Sequence, residues 1–289
     1  MSRRRSERRR RLIVTAVALV VLVVLAQVAY SVATDPLIHY PAIGEYQFAP
    51  TILSGVVVTI ELTVLSQIIG IVLGVVFALG RLSRNWLLRT VAAGYIWFFR
   101  GTPVLIQLIF WYNLGLIFKT LGIGVPGGPT LISVSTNALI SGFTAALLGL
   151  GLNEGAYMAE IVRGGILAID RGQSEAARAL GMTPSQVMRI VILPQALRVV
   201  VPPTGNQLIN MLKVTSLVSV IGGGDLLTNS EYVSSQNFLV VELLVVATLW
   251  YLALTTVATI AEQALERRLV YGSSQVAEPA QSRRQQRVA

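Results

Sequence analysis

Long apolar runs separated by short polar stretches set the pattern of this chain. Residues 12–33 form the first run, with no charged side chain, and 51–80 form the second, interrupted only by Glu61. A third lies around 95–118, and a fourth covers 138–161 with Glu154 and Glu160 near its end. The fifth, 196–221, contains Pro202, Pro203 and Lys213, and the sixth, 237–261, has Glu242 as its only charge. A helix needs about 20 mostly apolar residues to cross the hydrocarbon core of a bilayer. The pattern therefore predicts an all-α membrane protein with six spans. Segment 1–11 reads as a basic N-terminus, 12–34 as the first transmembrane helix, and 272–289 as a disordered tail.

Composition agrees with this reading. The chain is 54% hydrophobic and only 13% charged, where a soluble domain carries about 25% charged residues. Its mean hydropathy is +0.67. These values exclude a soluble enzyme and a disordered chain. The net charge of +9 would suggest nucleic acid on a soluble domain, but here its placement excludes that partner. Of the 23 Lys and Arg, 21 fall in segments 3–11, 81–100, 163–198 and 267–287. All lie on one side of the membrane if the spans alternate. Short cytoplasmic loops hold the excess of Lys and Arg, so both termini are expected in the cytoplasm. A basic segment before an apolar run is also the pattern of a cleaved signal peptide. The run at 12–33 is longer than a usual signal core and is followed by Asp35-Pro36, which favours a retained helix.

Several chemistries are absent from the sequence. There is no cysteine and a single histidine, His39, so Cys-ligated metals, His-based metal sites and Ser–His triads are excluded. The only lysines, Lys119 and Lys213, do not sit in a G-x-x-x-x-G-K-[ST] loop, so no ATP-binding P-loop is expected on this chain. A transporter built this way takes its energy from a partner subunit or from an ion gradient.

The segment Asp170 to Ala196, DRGQSEAARALGMTPSQVMRIVILPQA, carries the clearest local signals. Asp170 is placed to cap a short helix, Glu175 to Leu180 favour helix, and Gly181 stands where a left-handed C-terminal cap belongs. Thr183 is placed to cap a second helix, with Pro184 at its first position and Gln186 completing a capping box. Pro194 is expected to break or kink the chain before the fifth span. The result is a helix–Gly–helix elbow with a ridge of Ala176, Ala177 and Ala179 flanked by Glu175 and Arg178.

The full stretch resembles the EAA motif of the membrane subunits of binding-protein-dependent ABC importers: Glu175-Ala176-Ala177, then Gly181, and later Leu193-Pro194. Arg100-Gly101-Thr102-Pro103 with Gln107, the run Ala156 to Ile166, Pro202, Asn206, and Lys213 to Leu217 are similar to the polar amino acid permeases among them. The resemblance covers 51–265 and implies a five-span core, to which the first helix is an addition. It implies an ATPase subunit dimer holding ATP and Mg, and an elbow (Gln173, Glu175, Ala176, Ala177, Leu180, Gly181) that docks into that ATPase. It also implies a second permease subunit, identical or related, and an extracytoplasmic amino-acid-binding protein. On this chain it implies no catalysis, no cofactor and no metal.

Candidate cavity residues follow from the polar positions inside the spans. Asn206, Asn210 and Lys213 fall at i, i+4 and i+7 and share one helical face. Such groups line a cavity or hold helices together by hydrogen bonds. Glu154 lies deeper than Glu160 and is placed to attract a cationic group, whereas Glu160 is within reach of Arg163. Thr102 is expected to cap a helix beginning at Pro103. An ion-coupled transporter would explain the spans but not the capped elbow, and a membrane-embedded enzyme lacks its reactive groups.

Overall fold

The computed structural model describes residues 2–36, 38–124 and 130–271. The tail predicted at 272–289 lies outside the described residues. In chain order the helices are α1 (Ser2–Thr34), α2 (Tyr40–Tyr46), α3 (Pro50–Leu82), α4 (Trp86–Gly101), α5 (Val104–Tyr112) and α6 (Leu114–Ile117). A hairpin of β1 (Thr120–Gly124) and β2 (Thr130–Ser135) follows. Then come α7 (Thr136–Leu139), α8 (Gly142–Leu167), α9 (Arg171–Ala179) and α10 (Pro184–Gln186). A π-helical turn, Val187–Ile192, leads into α11 (Leu193–Val214), and a 3₁₀ turn, Thr215–Ile221, leads out of it. The chain ends in α12 (Leu226–Asn237) and α13 (Val240–Tyr271).

By length and hydropathy, Pro50–Leu82, Pro184–Ile221 and Val240–Arg268 can each cross a bilayer, and α4 with α5 forms a further span bent by 99°. Helix α8, with 26 residues, is about 39 Å long, enough to cross as well. Helix α1 carries an apolar stretch at Ile13–Gln27.

The core is built around α3 and α8, which meet at small residues. A Cβ on Gly70 would lie 2.4 Å from Cγ of Glu154, and one on Gly74 would lie 2.5 Å from Cβ of Met158. Neither position admits a larger side chain without moving α8. Close approach at glycine is how helices gain contact in lipid, where burial of apolar surface offers no drive. Leu62, Leu108, Ala145, Ala146, Leu150 and Val218 form one fully buried cluster beside this seam. A second cluster, with Ile52, Leu226, Leu243 and Val246, joins α3, α12 and α13. Polar bonds reinforce it: the Leu226 backbone N–H donates to Thr59 Oγ1 at 3.0 Å, and Tyr251 donates to Asp225 Oδ2 at 3.4 Å. Burial pushes the Asp225 carboxyl above its ordinary pKa, and bonds from Thr228, Leu227 and Tyr251 oppose the shift without cancelling it.

The structure differs from the sequence expectations in three places. The third span starts at Trp86 rather than near 95, and the break expected at Gly101–Pro103 is a bend of 99°. Asn85, whose side chain accepts from the Leu87 N–H, supplies its cap. Pro194, expected to break or kink the chain before the fifth span, does not end the helix there. The chain switches to π geometry just before it, with the Leu193 N–H reaching back to the Met188 carbonyl. The π turn relieves the clash a proline ring makes four residues back. The Gln195 side chain also donates to the Val191 carbonyl at 2.8 Å. Finally, the all-α architecture carries one addition, the antiparallel β1–β2 hairpin, paired from Thr120↔Ser135 to Gly124↔Thr130.

Candidate functional site: a cavity at the broken helix and a capped elbow

The break between α4 and α5 opens a cavity of about 450 Å³ against α8 and α11. Helix α4 ends at Gly101, where Pro103 cannot continue it, so the last carbonyls of α4 need other donors. Gln107, one turn into α5, supplies them: its Nε2 donates to Phe99 O at 3.1 Å, Thr102 O at 3.1 Å and Thr102 Oγ1 at 2.9 Å. Asn153 on α8 donates to the same Phe99 carbonyl at 2.8 Å. Thr102 is therefore not the cap of α5 expected from the sequence. It is the C-cap of α4, with its hydroxyl donating to the Phe98 carbonyl.

The bend sets Arg100, Gly101, Thr102 and Val104 along one wall of the cavity. Helix α8 contributes Leu150, Asn153, Glu154 and Tyr157, spaced i, i+3, i+4 and i+7 on one face. Helix α11 contributes Gln207, Asn210, Met211 and Val214 with the same spacing. Both charge signs are present. The Arg100 guanidinium carbon lies 5.2 Å from the centre of the Tyr157 ring, in cation–π range. Glu154 is only 4% exposed, and its Oε1 has no hydrogen-bond partner among the described residues. The buried Gln67 side chain on α3 lies beside it and bonds with its carboxyl.

Of the four cavity candidates, the structure brings Glu154 and Asn210 to the lining. Asn206 and Lys213 are exposed on α11 and do not line it. At 100° per residue, the lining stripe 207–210–211–214 is turned about 80° from the 206–210–213 face, and Asn210 is the residue they share. Arg100, Asn153, Tyr157 and Gln207 are the lining residues the sequence reading missed as cavity residues. Arg100 had been counted with the cytoplasmic charges, although its place one residue before a Gly-Thr-Pro break was a usable signal. Glu160 pairs with Arg163 at 2.6 Å, within reach as its spacing suggested.

The second feature is the elbow. Asp170 caps α9 by accepting from the Gly172 N–H at 2.7 Å. At the other end Gly181 has φ +82, its N–H donates to the Arg178 carbonyl, and the Met182 N–H donates to the Ala177 carbonyl. This pair of bonds is the Schellman motif, which needs the left-handed residue that only glycine supplies without strain. Thr183 and Gln186 make the capping box of α10. Both helices of the elbow are thus fixed in direction by their own ends.

Among the elbow residues, Glu175, Ala176, Leu180 and Gly181 are exposed, with Leu180 at 84%. Gln173 is exposed too, and it accepts a long bond from Gln195 at 3.5 Å. Ala177 is placed differently from the other five. It is 4% exposed, and α9 sits on the π-helical turn whose Val187 is 2% exposed. Its side chain packs within the elbow.

The family model described as the inner membrane component of binding-protein-dependent transport systems matches residues 70–271. The chain is 41% identical over 259 residues to the arginine transport system permease protein ArgU of Corynebacterium glutamicum, covering 89% of this chain and 80% of that protein. It is 37% identical over 220 residues to the arginine transport system permease protein ArtQ of Bacillus subtilis, covering 76% and 93%. The glutamine transport system permease protein GlnP of Escherichia coli K12 is 35% identical over 221 residues, again covering 76% and 93%. Among solved structures, an amino acid ABC transporter crystallised with histidines aligns at a TM-score of 0.69 and 35% identity, covering 80% of this chain and 99% of that one. The MetNI methionine transporter, at 23% identity and a TM-score of 0.58, shares the fold. A chain with this fold and this match belongs to the binding-protein-dependent transport system inner membrane component family, as an amino acid ABC importer permease and not an enzyme.

Proposed function

We propose that this permease carries a polar amino acid, with a cationic one such as arginine as the leading substrate, and that an ATPase subunit drives it through the 170–196 elbow. The substrate class rests on the pairing of Glu154 with Arg100 around one cavity. Arg100 offers a fork of donors to an α-carboxylate, and the unpaired oxygen of Glu154 accepts from an amine or guanidinium. Two relatives bear the name of arginine permeases, which fits this assignment. The chain works beside a second permease subunit, identical or related. A binding protein delivers substrate from outside, and the ATP and Mg belong to the partner ATPase.

One observation carries the coupling role: an exposed Leu180, next to exposed Glu175 and Ala176, on a short helix held rigidly at both ends. An apolar knob on a fixed lever suits insertion into a cleft of another subunit. Closure of the ATPase pair would press the elbows together and swing α8 and α11, which continue directly from it, so that the cavity changes the side to which it opens.

The test uses the permease reconstituted with its ATPase subunits and binding protein. Gly181→Val forces a β-branched residue into the left-handed region at a cost of about 1–2 kcal/mol and re-aims α9. Glu175→Lys reverses the charge beside Leu180. Both variants should insert normally and yet lose ATP-driven uptake, with the ATPase copurifying poorly. Full uptake with both would reject the elbow as the coupling element.

A further inference from the structure

We propose, building on the assignment of Arg100 to the substrate's α-carboxylate, that Glu160 is a positioning residue for substrate release. Its own carboxylate competes for the Arg100 guanidinium, and Arg163 sets how strongly.

Tyr157, whose ring centre lies 5.2 Å from the Arg100 guanidinium carbon, is the lining residue of α8 nearest the elbow. Glu160 follows it at i+3, so its carboxylate stands one turn farther along the same side of α8. The Arg163 Nε and Nη2 donate to it at 3.1 and 2.6 Å, and both bonds converge on Oε2. Oε1 takes no part in that pair. Arg100 and Arg81 are close enough to attract the same carboxylate. Helices α3 and α8 advance in step, Gly70 against Glu154 and Gly74 against Met158, which brings Arg81, in the last turn of α3, down to the same level. The ends of α3 and α4 and the last turns of α8 thus bring three guanidiniums to Glu160, just beyond the cavity.

A structural ion pair on α8 would be complete with Arg163. The added reach of Glu160 to Arg100 gives it a second part to play. A guanidinium that loses its carboxylate away from bulk water is left uncompensated at a high cost. Substrate held by Arg100 therefore leaves slowly unless another anion takes its place, and Glu160 is the anion at hand. Arg163 neutralises part of that charge, which keeps Glu160 from occupying Arg100 outright. Breaking the pair from its two sides then has opposite effects. Without the acid, Arg100 holds substrate longer; without Arg163, Glu160 turns to Arg100 and substrate binds less well.

The test measures binding of labelled arginine by equilibrium dialysis to the permease and its ATPase subunits in nanodiscs. ATP-driven uptake is then followed in proteoliposomes with the binding protein added. Glu160→Gln should bind arginine about threefold or more tightly than the wild type. It should also take arginine up more slowly, with stronger inhibition by arginine loaded inside the vesicles. Arg163→Gln should weaken arginine binding by a similar factor. Agmatine, which is arginine without its carboxylate, should bind Glu160→Gln no more tightly than the wild type. Arg163→Lys keeps the cation and loses the fork, so it should weaken binding by a smaller factor. If Glu160→Gln fails to assemble, Arg163→Lys decides alone, and unchanged or tighter binding there overturns the proposal. Shifts in the same direction for the Glu160 and Arg163 variants, or no shift in either, would leave a plain structural pair and reject the role in release. Tighter agmatine binding by Glu160→Gln would reject it as well. Arg100→Gln separates the two assignments. Wild-type arginine binding in that variant would overturn the role of Arg100, and that of Glu160 with it. Lost binding there, with the paired variants moving together, would overturn the role of Glu160 alone.

Discussion

Glu154 is the residue on which the cavity turns. Its Cβ and Cγ pack against Gly70, which leaves room for nothing larger than hydrogen, and its carboxyl lies beside the buried Gln67 side chain. The same glycine that lets α3 reach α8 thus leaves room for the Glu154 side chain at the seam. Glu154→Gln keeps the shape and removes the charge. If the carboxyl meets a cationic group of the substrate, the change should lower arginine uptake by tenfold or more, since a charge-assisted hydrogen bond is worth about 1.5–3 kcal/mol. Assembly with the ATPase should be unchanged. Arginine uptake at the wild-type rate in reconstituted vesicles would remove Glu154 from the site. Its position was legible in the sequence because a lone acid deep in an apolar run stands out. Arg100 was less legible, since the charge rule assigns an arginine near a loop to that loop. Only the bend at Thr102-Pro103 turns it inward.

At the scale of elements, legibility follows the range of the forces. The elbow is built from bonds between residues two to five apart, and its caps, its Gly181 and its capping box were all readable from spacing. The break in the third span was readable from Arg100-Gly101-Thr102-Pro103, but its 99° bend was not, because it is held by Gln107 and by Asn153 from another helix. The lining face of α11 was misread for a similar reason. Three polar residues at helical spacing mark a face, but which neighbouring stripe turns toward α8 is decided by packing. Ala177 gives a way to test the elbow as an element. Ala177→Leu overpacks the contact with the π turn, at a cost of about 1–3 kcal/mol, and should lift α9 from its seat. Amide exchange over 171–180 should then speed up and coupled uptake should fall. Ala176→Leu, one position round on the exposed side, should leave the exchange unchanged. Equal exchange in the two variants would mean that α9 is not held by that packing.

For the whole molecule, the contacts sort the loops into two ends without reference to charge. Asn229 donates to the Thr51 carbonyl and Trp250 to the Gln47 carbonyl, which places the segments before α3, in α12 and at the start of α13 together. The Thr136 N–H donates to the Lys119 carbonyl, and Gly142 lies against the Gly222–Gly223 backbone, so Lys119 and the hairpin share that end. The opposite end gathers the α3–α4 turn, the end of α8 and the elbow. Arginines crowd the second end, and acids such as Asp35, Glu45 and Glu231 lie at the first. By the distribution of Lys and Arg, the second end is the one expected in the cytoplasm. The chain has no cysteine of its own, so single cysteines report position cleanly. Replacements at the exposed positions Lys119 and Glu231 should react with an impermeant maleimide in intact cells. Those at the exposed positions Arg84 and Arg171 should react only after the membrane is opened. Labelling at position 171 from outside would turn the molecule over and put the elbow beyond the reach of any cytoplasmic ATPase.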